Sequence, residues 1–236
     1  MPLGCIGRTV ASSKAMIQIT GSALAKTRMN LALHHLFAAS RFAANVVRIE
    51  RLNSGQAFGP FWEEILHNSL GVATLTVAAL ESYANEIYFE GSVLNGKVTC
   101  AAAEEIGQLV DRESILRKYS VALSVQTGVR LDYGKKEVQN VDALVRIRNG
   151  VMHFRPEWFG DQAEHEKLSR KLQHKFQPSQ FLPNEPLFPR SWASGSFSLW
   201  AVYSVIEFLK YYFDEIGQQS PIAQFELRIA ELLNAT

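Results

Sequence analysis

Two stretches near the start of this chain carry apolar residues at helical separations over several turns each, with only a short Gly- and Pro-containing break between them. From Ser22 to about Leu52, Leu24, Leu33, Leu36, Phe37, Val46, Val47 and Ile49 recur at helical separations, and Asn53-Ser54-Gly55 stops the run. Gly59-Pro60 opens the second stretch, which runs to about Leu94, with Pro60 in the first turn and Glu63 and Glu64 at the positive end of the helix dipole. Two long helices joined by so short a link pack side by side as an antiparallel hairpin. Gly71 weakens the second helix by about 1 kcal/mol relative to alanine and supplies the small residue that a close helix crossing needs.

The remaining pattern is also helical. Asp111 reads as an N-cap for a shorter helix through Ile115, Leu116, Tyr119 and Leu123 that Gly128 ends. Val138, Val141, Leu144, Val145, Ile147 and Val151 predict a helix from about Lys135 to Phe154, closed by Pro156. Asp161-Gln162-Ala163-Glu164 resembles a capping box for a very polar helix reaching about Lys175. Prolines 178, 183, 186 and 189 forbid regular structure across 176–193, which is a long ordered loop or an arm. Ser196 to Ile216, rich in large apolar residues, predicts a buried helix, and Ser220-Pro221 starts a terminal one. Residues 1–21 show no helical period and form a weakly ordered arm or a short strand. The fold class is all-α: a helical bundle over residues 22–236, built as one domain on a chain of 236 residues.

Charge places no polyanion signature on the whole molecule. With 24 Lys+Arg against 23 Asp+Glu, the formal net charge is +1, so any site for a nucleic acid must be a local patch. Two cysteines, Cys5 and Cys100, are too few and too far apart to suggest a disulfide framework or a zinc site, and a reducing cytoplasm is the natural setting. The first twenty residues are interrupted by Gly4, Gly7, Arg8 and Lys14 and lack the continuous apolar core of a secretion signal. A long uncharged run, Ile65–Leu80, contains His67, Asn68 and Ser69 and falls short of the ~20 apolar residues that span a bilayer. No membrane partner is expected.

The chemistry-bearing feature is Arg148-Asn149-Gly150-Val151-Met152-His153, in the last turns of a helix. A permanently charged guanidinium holds a phosphate, and an imidazole titrating near neutral pH moves a proton. Together they suffice in principle to cleave RNA without a metal, and the histidines and carboxylates show no metal-ligand spacing, so neither metal nor cofactor is expected. Arg and His also stand close together in many chains with no shared task, and the hexapeptide alone leaves both readings open. On an ideal helix Arg148 and His153 lie about 140° apart, whereas Arg146, Asn149 and His153 share a face. Glu81 and Glu86 are read as solvated or paired, with framing of the site as the alternative, and the cations Lys167, Arg170, Lys171, His174 and Lys175 as one solvated basic face that also suits RNA steering. Trp158 and Phe159 read as core plugs, with base stacking as the alternative.

Two stretches carry a family resemblance. Val77-Ala78-Ala79-Leu80-Glu81-Ser82-Tyr83-Ala84-Asn85-Glu86-Ile87 is similar to the "ALEAFINE"-like second helix of one branch of the HEPN superfamily. Leu144-Val145-Arg146-Ile147-Arg148-Asn149-Gly150-Val151-Met152-His153-Phe154 is similar to that branch's "LRNxxxHF" helix. The likeness spans roughly residues 22–215. It implies a homodimeric endoribonuclease in which Arg148, Asn149 and His153 are catalytic, with RNA as substrate. His153 would exchange protons with the ribose 2′-OH and the 5′-leaving oxygen, Arg148 would stabilise the charged phosphorane, and the product would end in a 2′,3′-cyclic phosphate. Arg146 would hold a flanking phosphate, and Arg155 would add a cation beside it. Toxins of this superfamily commonly carry a tyrosine two residues after the histidine, where an antitoxin adenylylates it. This chain has Arg155 there, which argues against that route of control. An antitoxin or phage-defence partner is compatible with the resemblance, and so is a non-catalytic module for RNA binding or protein interaction.

Overall fold

The computed structural model describes residues 31–89, 94, 97–157 and 163–234, and among these the chain is an all-α bundle. The expected N-terminal arm, and the expected helix start at Ser22, lie outside the described residues.

The hairpin is formed by α1 (Ala32–Leu52) and α2 (Phe61–Tyr88). Its antiparallel register can be read from paired side chains. His35 Nδ1 lies 3.5 Å from Ser82 Oγ, Asn45 Nδ2 donates to Asn68 Oδ1 at 3.4 Å, and Arg48 lies 4.0 Å from Glu64. Between these pairs the Phe42 ring packs against Gly71, where an added Cβ would stand 2.8 Å from it. The small residue is therefore what lets the two helices cross closely. α2 ends at Tyr88, short of the expected Leu94, because Phe89 turns to an extended conformation (φ −73°, ψ 120°).

The next helix was not anticipated. α3 (Cys100–Val110) is capped by Thr99, whose Oγ1 accepts from the Ala102 amide at 3.2 Å. Ala103 and Val110 of α3 are buried and Ile106 between them packs against the core, so the stripe is short and made partly of small residues. Asp111 closes α3, and the N-cap of α4 (Ile115–Thr127) is Ser114, not Asp111. Gly128 ends α4 at φ +76°, a left-handed position that favours glycine. Cys100 is disulfide-bonded, which removes the argument for a reducing compartment drawn from the cysteines; Cys5 lies outside the described residues.

The bundle closes with α5 (Lys136–Met152), α6 (Ala163–Leu172), α7 (Gly195–Glu215) and α8 (Glu226–Asn234). α7 is the central element and packs on α1, α2 and α5. Its Phe208 and Tyr212 meet Tyr119 of α4 edge-on, with ring centroids 4.9 Å and 4.8 Å apart. Complete burial of such side chains contributes about 1.5–3 kcal/mol each. Ser194 caps α7, its Oγ accepting from the Phe197 amide at 3.0 Å. The terminal helix starts at Glu226 after a short turn over Ala223–Phe225, later than Ser220-Pro221 suggested.

The proline-rich stretch is an ordered loop. The Ser179 amide donates to Ser191 O at 2.8 Å and the Gln177 amide to Ser196 Oγ at 2.9 Å. Phe176, Phe181, Phe188 and Trp192 plug the core from it. The Phe188–Pro189 peptide is cis. No helix among the described residues is long and apolar enough to cross a membrane.

Candidate functional site

The buried stripe Val138, Val141, Leu144 and Ile147 makes α5 helical and turns its other faces outward. Pro156 disfavours helical backbone at Arg155, and α5 stops two residues before the expected Phe154. His153 is its C-cap, at φ −115° and ψ 41°, and the His153 amide still donates to Asn149 O at 2.9 Å. The helical track therefore runs unbroken through Gly150. That glycine makes room for its neighbours, since an added Cβ would stand 2.9 Å from Leu168 Cδ2 and 3.2 Å from Phe188 Cζ.

Because the track is regular, Arg148 and His153 point to different sides of α5. Arg148 is half-buried against α2, where its Nη2 donates to Glu81 Oε1 at 2.9 Å. One turn further on, Met152 reaches the same helix, with its sulfur 3.8 Å from Thr74 Oγ1. Glu81 was read from the sequence as a solvated or paired carboxylate, and pairing is what it does. The two stretches that carry the family resemblance are thus joined by a charge-assisted hydrogen bond, which is stronger than a neutral one.

Asn149 and His153 are exposed, as is Arg146 on the same face two turns before His153. Among the described residues the imidazole of His153 has no hydrogen-bond partner, and no hydrogen bond or ion pair joins it to Arg148. Arg146 is oriented by Asp142, whose Oδ2 accepts from Nε at 2.7 Å. The structure therefore brings together Arg146, Asn149 and His153, and sets Arg148 apart within one chain.

Arg155 is exposed as well, and its backbone is held by His165, which no motif or spacing marks in the sequence. His165 of α6 is buried, its Nε2–H donates to Arg155 O at 3.1 Å, and its amide donates to Glu157 Oε2 at 3.3 Å. The ring of Phe154 stacks on it at 5.4 Å and 19°. Phe154 thus leans toward α6, not over His153, and remains 48 % exposed. Trp158 and Phe159 lie outside the described residues.

One concavity borders the end of α5 and another its first three turns. An apolar groove of about 660 Å³ lies between Val151 and Phe154 on one side and Phe58, Trp62, Leu70 and Phe188 on the other. A pocket of about 500 Å³, floored by Val138 and Ala143, lies where Arg146 faces Lys171 and Lys175. Among the described residues, no group of three or more His, Cys, Asp or Glu side chains is placed to hold a metal ion. Comparisons with protein-family models, with curated proteins and with solved structures gave no match for this chain.

Proposed function

We propose that this protein is an endoribonuclease of HEPN type that works as a homodimer. The observation that carries the reading is the open imidazole of His153 beside Asn149 at the end of α5, with a guanidinium fixed one turn back by Glu81. In this mechanism His153 takes the proton of a ribose 2′-OH, the oxygen attacks the adjacent phosphorus, and the P–O5′ bond breaks. The leaving oxygen gains a proton, so the products are a 2′,3′-cyclic phosphate and a 5′-OH. Arg148 stabilises the charge that grows on the non-bridging oxygens, and Asn149 orients the phosphate. Arg148 of one protomer serves His153 of its partner, since within a chain the two diverge by about 140°. A two-fold axis near His153 satisfies this. Arg146 and Arg155 hold flanking phosphates. Restraint of the activity by an antitoxin or within a phage-defence system belongs to the same reading.

A second reading has one observation in its favour. If the Arg148–Glu81 pair serves only to dock α5 on α2, the chain is a non-catalytic module for RNA or protein binding. Incubation of the purified protein with bulk RNA and with single-stranded DNA in EDTA separates the two. Loss of RNA alone, abolished in His153→Ala, supports the enzyme; intact RNA that nonetheless binds the protein supports the module.

A further inference from the structure

The basic residues on and just after α6 do not form a wholly open face. Lys171 and Lys175 project toward α5, where they meet Arg146 across the pocket of about 500 Å³, with Tyr133, Gln139 and Asp142 completing the wall. Three cations therefore face one carboxylate. Each cation is held in place: Arg146 by Asp142 at 2.7 Å, Lys171 by the same carboxylate at 3.9 Å, and Lys175 by the buried Asn140, whose Oδ1 accepts from Nζ at 2.9 Å.

Burial pushes the Lys175 amine below its ordinary range; Asp142 works against this and Lys136 adds to it. A second anion in the pocket would favour the charged amine against its desolvation and offset the mutual repulsion of the cations. Tyr133, 53 % exposed, offers an aromatic face at the rim. The volume suits one nucleotide unit.

We infer that this pocket between α5 and α6 seats a phosphodiester of a single-stranded nucleic acid, with an adjacent base stacked on Tyr133. The inference rests on the ribonuclease reading for its biological setting and deepens it. Arg146 lies two turns, about 10 Å, before His153 on the same face of α5, so the pocket holds a phosphate flanking the one that is cleaved. Asp142 has a double role. It orients Arg146 and Lys171, and it sets an upper limit on the pocket's affinity for anions. Because the contacts are to phosphate and base, and not to a 2′-OH, the pocket takes DNA as readily as RNA, even though only RNA is cut.

The test is binding of a short fluorescent oligouridylate with 2′-O-methyl riboses, which cannot be cleaved by 2′-OH attack, and of the matching oligodeoxythymidylate, across a salt series. Lys171→Glu should weaken binding of both by about tenfold or more and flatten the salt dependence by about 0.7 per lost phosphate contact. Asp142→Asn should tighten it several-fold, Tyr133→Ala should weaken it with an unchanged salt slope, and Arg117→Glu on α4, with the same change of net charge as Lys171→Glu, should leave it within twofold. Inorganic phosphate at equal phosphate concentration should compete poorly; effective competition would make the pocket a free-anion site and overturn the proposal. So would equal effects of Lys171→Glu and Arg117→Glu, or no effect of Lys171→Glu in a chain that melts normally. The ribonuclease reading fails separately: cleavage undiminished in His153→Ala leaves the pocket standing, and cleavage that needs His153 but ignores Lys171 leaves the enzyme standing.

Discussion

Arg148 of α5 is fixed to Glu81 of α2 by a hydrogen bond of 2.9 Å, which ties the motif helix to the first hairpin at the residue proposed to carry the phosphorane charge. The pair is partly solvated, with Glu81 46 % exposed, so its contribution to stability is below about 1 kcal/mol. Its value is orientation. Glu81→Gln should leave the melting temperature nearly unchanged and lower turnover on RNA about tenfold with little change in KM, as expected when a positioning contact is lost. Unchanged turnover in that variant would reduce the pair to docking.

The two arginines of the motif should separate in kinetics. Arg148→Ala should depress turnover with little loss of RNA affinity, and Arg146→Ala should chiefly weaken binding in a salt-dependent way. Arg146 lines the α5–α6 pocket and shares the exposed face of Asn149 and His153, whereas Arg148 does not. The reverse pattern would make the shared helix face, and not the motif spacing, the guide to catalysis.

Much of this arrangement was legible in the residues. The α1–α2 hairpin, the end of α1 at Leu52, the Gly128 stop and the buried α7 follow from apolar period and cap chemistry, which are local. α3 went unread although Ala103, Ile106, Gly107 and Val110 form an i, i+3, i+4, i+7 stripe, because small residues make up half of that stripe and Cys100-Ala101-Ala102-Ala103 carries little apolar contrast. Asp111 was misplaced as an N-cap because Ser114, three residues later, competes for the same task. Within the site, the exposed face of Arg146, Asn149 and His153 could be read from helix geometry. The Arg148–Glu81 pair and the His165 anchor could not, because both join segments whose contact is set by tertiary packing.

Two glycines mark helix contacts with no spare volume. Ala in place of Gly71 would press on the Phe42 ring at 2.8 Å, and Ala in place of Gly150 on Leu168 at 2.9 Å and on Phe188 at 3.2 Å. The gain of about 1 kcal/mol in helix propensity is outweighed by overpacking of about 1–3 kcal/mol. Both variants should therefore melt lower, Gly71→Ala by more, because a ring packed between α1 and α2 yields less than the end of the Leu168 side chain. A rise in melting temperature at Gly71 would show that the crossing has slack.

Glu50, near the end of α1, faces the start of α7, where an added Cβ on Gly195 would stand 2.6 Å from its Oε2. Burial pushes its carboxyl up, and the Gly195 amide opposes this only in part. The folded state then binds the proton more tightly than the unfolded chain, so this residue's contribution to stability falls as pH rises from the ordinary carboxylate range through the raised value. Glu50→Gln should flatten the pH dependence of unfolding in that window relative to the wild type. Identical slopes would place the carboxyl in a wetter setting.

The composite site across a two-fold axis is tested most directly by mixing two inactive variants, Arg148→Ala and His153→Ala, under conditions that exchange subunits. If Arg148 of one protomer serves His153 of the other, each mixed dimer holds one intact site. With random exchange, cleavage with 2′,3′-cyclic phosphate ends should then return to about a quarter of the wild-type rate. If Arg148 and His153 of the same chain act together, or if the motif has no catalytic role, the mixture stays as inactive as its parts.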